Sequence, residues 1–133
     1  MAMADRASLP LAVHVASAAP HEVTLVDATL QARCVAAVPA RLIGDKAYDS
    51  DALDTSLQAH GIELIAPHRG HRVKPPTQDG RPRRRYRRRW KIERLFSWLF
   101  RYRRLTVRYA YHLDNFLAFV HLAGALILLK RCL

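Results

Sequence analysis

The chain has 133 residues and a formal net charge of +11, and half of its residues are hydrophobic. This length and composition suit one domain with a core of ordinary size. The two cysteines, Cys34 and Cys132, lie far apart and match no metal spacing, so we expect them to be reduced, in a cytoplasmic protein. The sequence contains no secretory signal, no glycine-rich phosphate loop and no histidine pair with zinc-site spacing, which argues against those classes of protein.

The first half of the sequence predicts strands that alternate with helices after an initial hairpin. Apolar, partly β-branched residues predict strands, and apolar residues that recur every three or four positions predict helices. The predicted strands are Met1–Ala4, Leu11–Ala16, Leu42–Ile43 (expected to be buried) and Ile62–Ala66, and the predicted helices are Pro20–Cys34 and Asp51–His60.

The second half predicts a loop and two helices. Residues 68–82 are rich in Pro, Gly and Arg and predict a loop, followed by one long helix over Arg83–Leu105 and a last helix over Leu113–Arg131. The apolar run Phe116–Leu129 is shorter than a bilayer crossing and contains His121, so we expect a buried core helix and no membrane association. The whole order indicates an α/β fold, a mixed sheet with flanking helices.

The positive charge is concentrated in one segment. Residues 1–68 carry four Lys and Arg against eight acidic residues, whereas residues 69–108 carry sixteen against two. A segment so dense in arginine favours a polyanionic partner, and nucleic acid is the most common one. The alternative, a disordered basic linker, stays open for Arg69–Arg85.

Two acids suggest catalysis. Asp45 follows the predicted strand Leu42–Ile43, at the kind of strand end where α/β sheets bind ligands. Glu93 lies on the long helix on one face with Tyr86 and Arg89, at spacings of i, i+3 and i+7. Together the two carboxylates form a ligand set for a divalent metal ion that acts on a phosphodiester. The simpler alternatives are a turn-initiating Asp45 and a Glu93–Arg89 ion pair.

A third acid is not obvious from the spacing. Asp49, Asp51 and Asp54 follow Asp45 closely, and N-capping of the helix that begins near residue 51 accounts for Asp49 or Asp51. Asp5 lies in the predicted hairpin turn, where we expect it to be solvated.

Four segments resemble the DDE transposases of bacterial insertion sequences, of the insertion sequence 5 type. GDKAYDS at Gly44–Ser50 resembles a sequence block of that family, and YRRRWKIERLFSWL at Tyr86–Leu99 resembles its tyrosine–arginine–glutamate signature. The segment Leu9–Glu22 and the residues Arg103–Leu105 with Arg108–Tyr109 are also typical of it. The resemblance covers essentially the whole chain.

The resemblance implies an RNase H-like fold in which Asp45 is the second catalytic acid and Glu93 the third, both binding Mg²⁺ or Mn²⁺. The family's first aspartate lies upstream of the segment that matches Met1–Asp5, so its role is not transferred to Asp5. Residues 1–133 would then be a partial catalytic domain that lacks the first, central strand, with a basic loop at 68–85. Such a chain would be a truncated or frameshifted copy, or half of a split reading frame, and inactive in strand transfer by itself.

The implied partner is DNA, both insertion-sequence ends and target, in the cytoplasm near the nucleoid. Self-association, or pairing with a transposase half encoded upstream, is a further expectation. The residues expected to contact DNA are Tyr86, Arg89, Arg85, Arg88, Trp90, Arg101 and Arg104. The family's usual lysine seven positions after the glutamate is replaced by Phe100, next to Arg101. The alternatives are a non-catalytic basic nucleic-acid-binding protein and a ribosome-associated RNA-binding protein.

Overall fold

The computed structural model describes residues 1–71, 73, 75 and 86–132, with the side chain of Cys132 left out. Two compact units are present. The terminal unit consists of Met1–Cys34 together with Lys91–Leu133, and the central unit consists of Val35–Trp90.

An antiparallel hairpin opens the terminal unit, as predicted. Strands β1 (Ala2–Ala4) and β2 (Pro10–Val13) pair with Ala2 opposite Val13. The Asp5 carboxylate accepts hydrogen bonds from the amides of Ala7 and Leu9 at 2.7 and 2.8 Å, so it shapes the turn instead of being merely solvated. The predicted helix over Pro20–Cys34 is shorter than expected: a 3₁₀ turn at Glu22–Leu25 leads into α1 (Val26–Gln31).

The prediction of one long helix over Arg83–Leu105 is wrong. Arg87–Arg89 form a 3₁₀ turn, α3 covers Trp90–Leu99, and α4 (Arg103–Thr106) is separate. Tyr102 takes an extended backbone conformation, with φ −87° and ψ 111°, which ends the helical hydrogen-bond ladder. Leu105, after the break, is buried in the core, and this burial offsets the backbone hydrogen bonds that a continuous helix would have made.

The last helix, α5 (Leu113–Cys132), closes the terminal unit. The core contains six buried residues from the three C-terminal helices, and the hairpin packs against it through partly buried side chains; the six are Leu95, Leu99, Leu105, Val120, Ala123 and Ile127. The prediction of a buried α5 is only half right, because Leu122 and Leu129 on its other face are more than half exposed. By length and composition alone, Leu113–Arg131 would also be able to cross a membrane.

The central unit is a strand–helix–strand motif. Strand β3 (Arg41–Ile43) pairs in parallel with β4 (Glu63–Ile65), and α2 (Asp51–Ala59) connects them. Helix α2 begins and ends as predicted: the Ser50 hydroxyl accepts from the Leu53 amide, and Gly61 at φ +72° follows its end.

The apolar residues of the central unit lie mainly on α2 and β4. Leu57 is fully buried and Ile65 almost fully. The prediction that β3 is buried is wrong, because Ile43 is exposed and Leu42 only partly buried; in the described residues β3 has a single strand neighbour.

The α/β class is therefore confirmed, with small sheets and helices. In the described part of the chain the strands form two separate two-stranded sheets, one antiparallel and one parallel.

Candidate functional site

Asp45 lies just beyond the carboxyl end of β3. It is the N-cap of a 3₁₀ turn, Lys46–Tyr48, and its Oδ1 accepts a hydrogen bond from the Ala47 amide at 2.8 Å. The Gly44 amide donates to the Ile65 carbonyl at 3.0 Å, which extends the parallel ladder up to the residue before the acid. The partly buried carboxylate is therefore held at the edge of the sheet by backbone contacts on both sides of it.

Gly44 is required for a steric reason. A Cβ atom at this position would lie 2.8 Å from Tyr48 Cδ2 and 3.1 Å from Tyr48 Cβ. Because Tyr48 ends the turn that Asp45 begins, the GDKAYDS sequence packs its tyrosine directly over the glycine. The close approach explains why the residue before Asp45 has no side chain.

The expectation that Asp49 or Asp51 caps α2 is wrong, because Ser50 is the N-cap, and Asp49 has other contacts. Its carboxylate is 6% exposed and contacts residues that follow β4: Oδ1 lies 2.9 Å from His68 Nδ1, and Oδ2 accepts from the Arg69 amide at 2.8 Å. The Arg69 guanidinium in turn donates to the carbonyls of Lys46 and Ala47 at 3.2 and 3.0 Å. No pattern in the sequence indicated this connection, although His68 and Arg69 come shortly after the predicted strand Ile62–Ala66.

Glu93 lies in the first turn of α3, where the helix dipole favours an acid. Its side chain is exposed, whereas Leu95 and Leu99 of the same helix are buried in the terminal core. Asp45 belongs to the central unit and Glu93 to the terminal unit, and their convergence stays a prediction.

The predicted DNA-contacting residues of the central unit form a cationic and aromatic group. The Arg89 guanidinium lies over the Tyr86 ring at 5.7 Å from its centroid, so the i, i+3 pair does meet. Arg88 is exposed, and Trp90 is 46% exposed. Arg85 lies outside the described residues.

In the terminal unit, arginines are seated on aromatic rings. Arg104 lies 5.5 Å from the Phe119 centroid, and Arg108 lies 5.5 Å from that of Phe116. Such contacts let a guanidinium stay solvated while its position is restricted. Arg101 is exposed at the break after α3.

A second arginine pair shares one ring. Arg94 and Arg131 both contact Trp98, at 5.7 and 4.3 Å from its centroid. Arg131 was absent from the predicted set because it lies far along the sequence from the basic segment.

Comparison with known proteins identifies the family. The profile described as "Transposase DDE domain" matches residues 1–128. The chain belongs to this family. A putative transposase for insertion sequence element IS402, from Burkholderia cepacia, is 30% identical over 131 residues. The alignment covers 92% of this chain and 58% of the relative, so the DDE transposase chain spans little more than half the length of that relative. No solved structure matches this chain.

Membership of the DDE transposase family confirms the resemblance found in the sequence. Among the described residues, no group of three or more His, Cys, Asp or Glu side chains is placed to hold a metal ion. The roles of Asp45, Glu93 and the DNA-contacting residues in this DDE transposase therefore stay predictions.

Proposed function

We propose that this chain is the C-terminal part of a metal-dependent DDE transposase, with Asp45 and Glu93 as its second and third catalytic acids. The observation that carries the proposal is the position of Asp45. Asp45 belongs to the GDKAYDS sequence and lies two residues after the end of β3, which pairs in parallel with β4. The carboxyl ends of parallel strands are where α/β folds bind ligands. We further propose that residues 1–133 form part of an RNase H-like domain; most of the expected basic loop at 68–85 lies outside the described residues.

The donor chemistry fits the metal ion that the family uses. Asp45 and Glu93 offer carboxylate oxygens, which are the hard ligands that Mg²⁺ and Mn²⁺ prefer. Asp45 is only partly buried and Glu93 is exposed, so solvent reaches both residues. When bound, such an ion activates a water or a 3′ hydroxyl and stabilises the leaving oxygen.

The chain's arginines would hold the substrate. Phosphates of insertion-sequence ends and of target DNA would be neutralised by five arginines: Arg85, Arg88, Arg89, Arg101 and Arg104. Tyr86 and Trp90 offer aromatic faces on which unpaired bases stack. A cytoplasmic site of action, close to the nucleoid, follows from this substrate.

A metal titration followed by NMR tests the assignment. Mn²⁺ broadens the signals of amides near its binding site, even when binding is weak. We expect Mn²⁺ to broaden amides near Asp45 and near Glu93 together, and Asp45→Ala or Glu93→Ala to weaken both effects roughly tenfold or more.

Two matched controls are available. Asp5 accepts from the amide two residues ahead, as Asp45 does, and Asp114 is an exposed acid in the first turn of its helix, as Glu93 is. Asp5→Ala and Asp114→Ala should leave the broadening unchanged. If Asp45→Ala leaves the broadening near Glu93 unchanged, and Glu93→Ala leaves the broadening near Asp45 unchanged, the shared site is refuted.

The chain by itself should show little or no strand transfer on insertion-sequence ends with Mg²⁺, because the resemblance assigns to it only the second and third catalytic acids, Asp45 and Glu93. Robust turnover by the isolated chain would contradict this. Restoration of turnover by an upstream-encoded half would support the pairing expected from the resemblance, and self-association of the chain is the other arrangement.

The second candidate is a non-catalytic basic nucleic-acid-binding protein. It is favoured by the exposed arginines seated on aromatic rings, which serve DNA binding without any metal. Salt-sensitive DNA binding that persists in Asp45→Ala and Glu93→Ala, with no Mn²⁺ response in the unmodified chain, would select it.

A further inference from the structure

The residues after β4 return to the turn that begins at Asp45. We call residues 45–49 the Asp45 turn and the contacts made to it by His68 and Arg69 the clasp. The clasp comprises four contacts between groups about 20 residues apart, all within the central unit. A 3₁₀ turn of three residues is weak by itself, so its conformation depends on such contacts.

Ala47 is fixed on both sides. Its carbonyl accepts from the Arg69 guanidinium at 3.0 Å, and its amide donates to Asp45 Oδ1 at 2.8 Å. Arg69 also reaches the preceding carbonyl, of Lys46, at 3.2 Å. The arginine thus fixes the peptide groups whose orientation determines where the Asp45 carboxylate points.

Asp49 anchors the other half of the clasp. Its two oxygens have different partners, His68 Nδ1 and the Arg69 amide, and its side chain is almost fully buried. An ionised carboxylate only accepts hydrogen bonds, so the contact with Asp49 Oδ1 suits the His68 tautomer that carries its proton on Nδ1. With both oxygens engaged, Asp49 is suited to hold the turn and not to serve as a third metal ligand.

We propose that Asp49 and Arg69 are positioning residues that hold the Asp45 carboxylate in its orientation at the end of β3. They act through the backbone of the Asp45 turn and need not touch substrate. The functional part of this inference rests on the proposed role of Asp45 as a metal ligand, whereas the structural part does not.

Amide hydrogen exchange, measured by NMR without metal or DNA, tests the clasp itself. Arg69→Ala removes both guanidinium contacts, and Asp49→Ala removes the carboxylate contacts. In each variant the Ala47 amide should exchange about tenfold faster, the order expected from the loss of one hydrogen bond to a charged group. The Leu57 amide, in the core helix of the same unit, should change by less than about twofold, because local opening does not require unfolding of the unit.

Arg41→Ala is the matched control. Arg41 is an exposed arginine of the same unit whose Nε pairs with Glu63 Oε2 at 2.6 Å, at the opposite end of the strands. This variant should leave Ala47 exchange unchanged. Asp49→Asn keeps an oxygen for the Arg69 amide, so the Ala47 amide should be much better protected in this variant than in Asp49→Ala. If Asp49→Ala unfolds the unit, Arg69→Ala still tests the proposal. Unchanged Ala47 exchange in Arg69→Ala overturns the proposal.

The Mn²⁺ titration then separates the two levels of the inference. If the unmodified chain shows the Asp45-dependent response, the clasp variants should weaken it while the Leu57 amide stays protected. A full response in clasp variants whose Ala47 amide exchanges fast would show that the clasp does not position Asp45 for metal. If Mn²⁺ broadens no amide near Asp45 in the unmodified chain, the proposed function is refuted. The exchange rate of the Ala47 amide then still decides whether the clasp holds the turn.

Discussion

Replacing Gly44 with alanine tests whether the turn after β3 is built around the missing side chain. The new Cβ would lie 2.8 Å from Tyr48 Cδ2, 3.0 Å from Cγ and 3.1 Å from Cβ. Rotation of the tyrosine side chain relieves the first two contacts, but its Cβ moves only with the backbone. The Lys46–Tyr48 turn must therefore shift, and overpacking of this kind costs about 1–3 kcal/mol.

Gly124 provides a control, because its replacement with alanine is expected to change stability in the opposite direction. It lies inside α5, and a Cβ there would meet only Pro10 Cγ, at an ordinary contact distance of 3.6 Å. Alanine is favoured over glycine in a helix interior by about 0.5–1 kcal/mol. Gly124→Ala should thus stabilise the terminal unit, whereas Gly44→Ala should destabilise the central one.

A urea titration followed by NMR measures both effects in the same experiment. The amides of Leu57 and Leu95, each at the centre of its unit's core, report the free energy of unfolding of the two units. Gly44→Ala should lower the value reported by Leu57. A Gly44→Ala chain as stable as the unmodified one would refute the steric reasoning, since the Tyr48 atoms leave an added methyl group no room.

Two further outcomes are expected. Leu95→Ala should cost about 2–5 kcal/mol of the terminal unit's stability in the same titration, because Leu95 is fully buried among Leu and Ile side chains; a loss below about 1 kcal/mol would contradict the described core. Arg104→Ala and Arg108→Ala should each reduce the slope of log K against log salt for duplex DNA by about 0.9, one phosphate contact each, whereas Arg41→Ala should not. Fluorescence anisotropy over a range of salt concentrations measures this slope, and equal slopes in all four proteins would show that these arginines do not contact phosphates.

Local patterns in the sequence were enough to predict most elements of the central unit. The stripe of Leu53 and Leu57, with Gly61 after it, located α2 to within a residue, because helix periodicity and a glycine stop are local signals. Asp45 was correctly expected at the end of a strand for the same reason.

Tertiary contacts explain the failures. The break after α3 arises because Leu105 has to reach the terminal core, and no residue between Phe100 and Tyr102 is a helix breaker by itself. The clasp was missed because it joins Asp49 to residues about 20 positions later, and periodicity carries no information on such pairs. The same limit applies to the meeting of Asp45 and Glu93, which the family resemblance implies.

The order in which the chain is made matters for its two units. The central unit is continuous in sequence, whereas the terminal unit joins the first 34 residues to a segment that starts at Lys91. On the ribosome, the hairpin of β1 and β2 emerges roughly 80 residues before Leu95, a delay of about 4–16 s at typical synthesis rates. During that interval its apolar side chains lack the cover of the C-terminal helices, so slower translation or premature termination downstream of Trp90 would expose the nascent hairpin to misassociation and to chaperones.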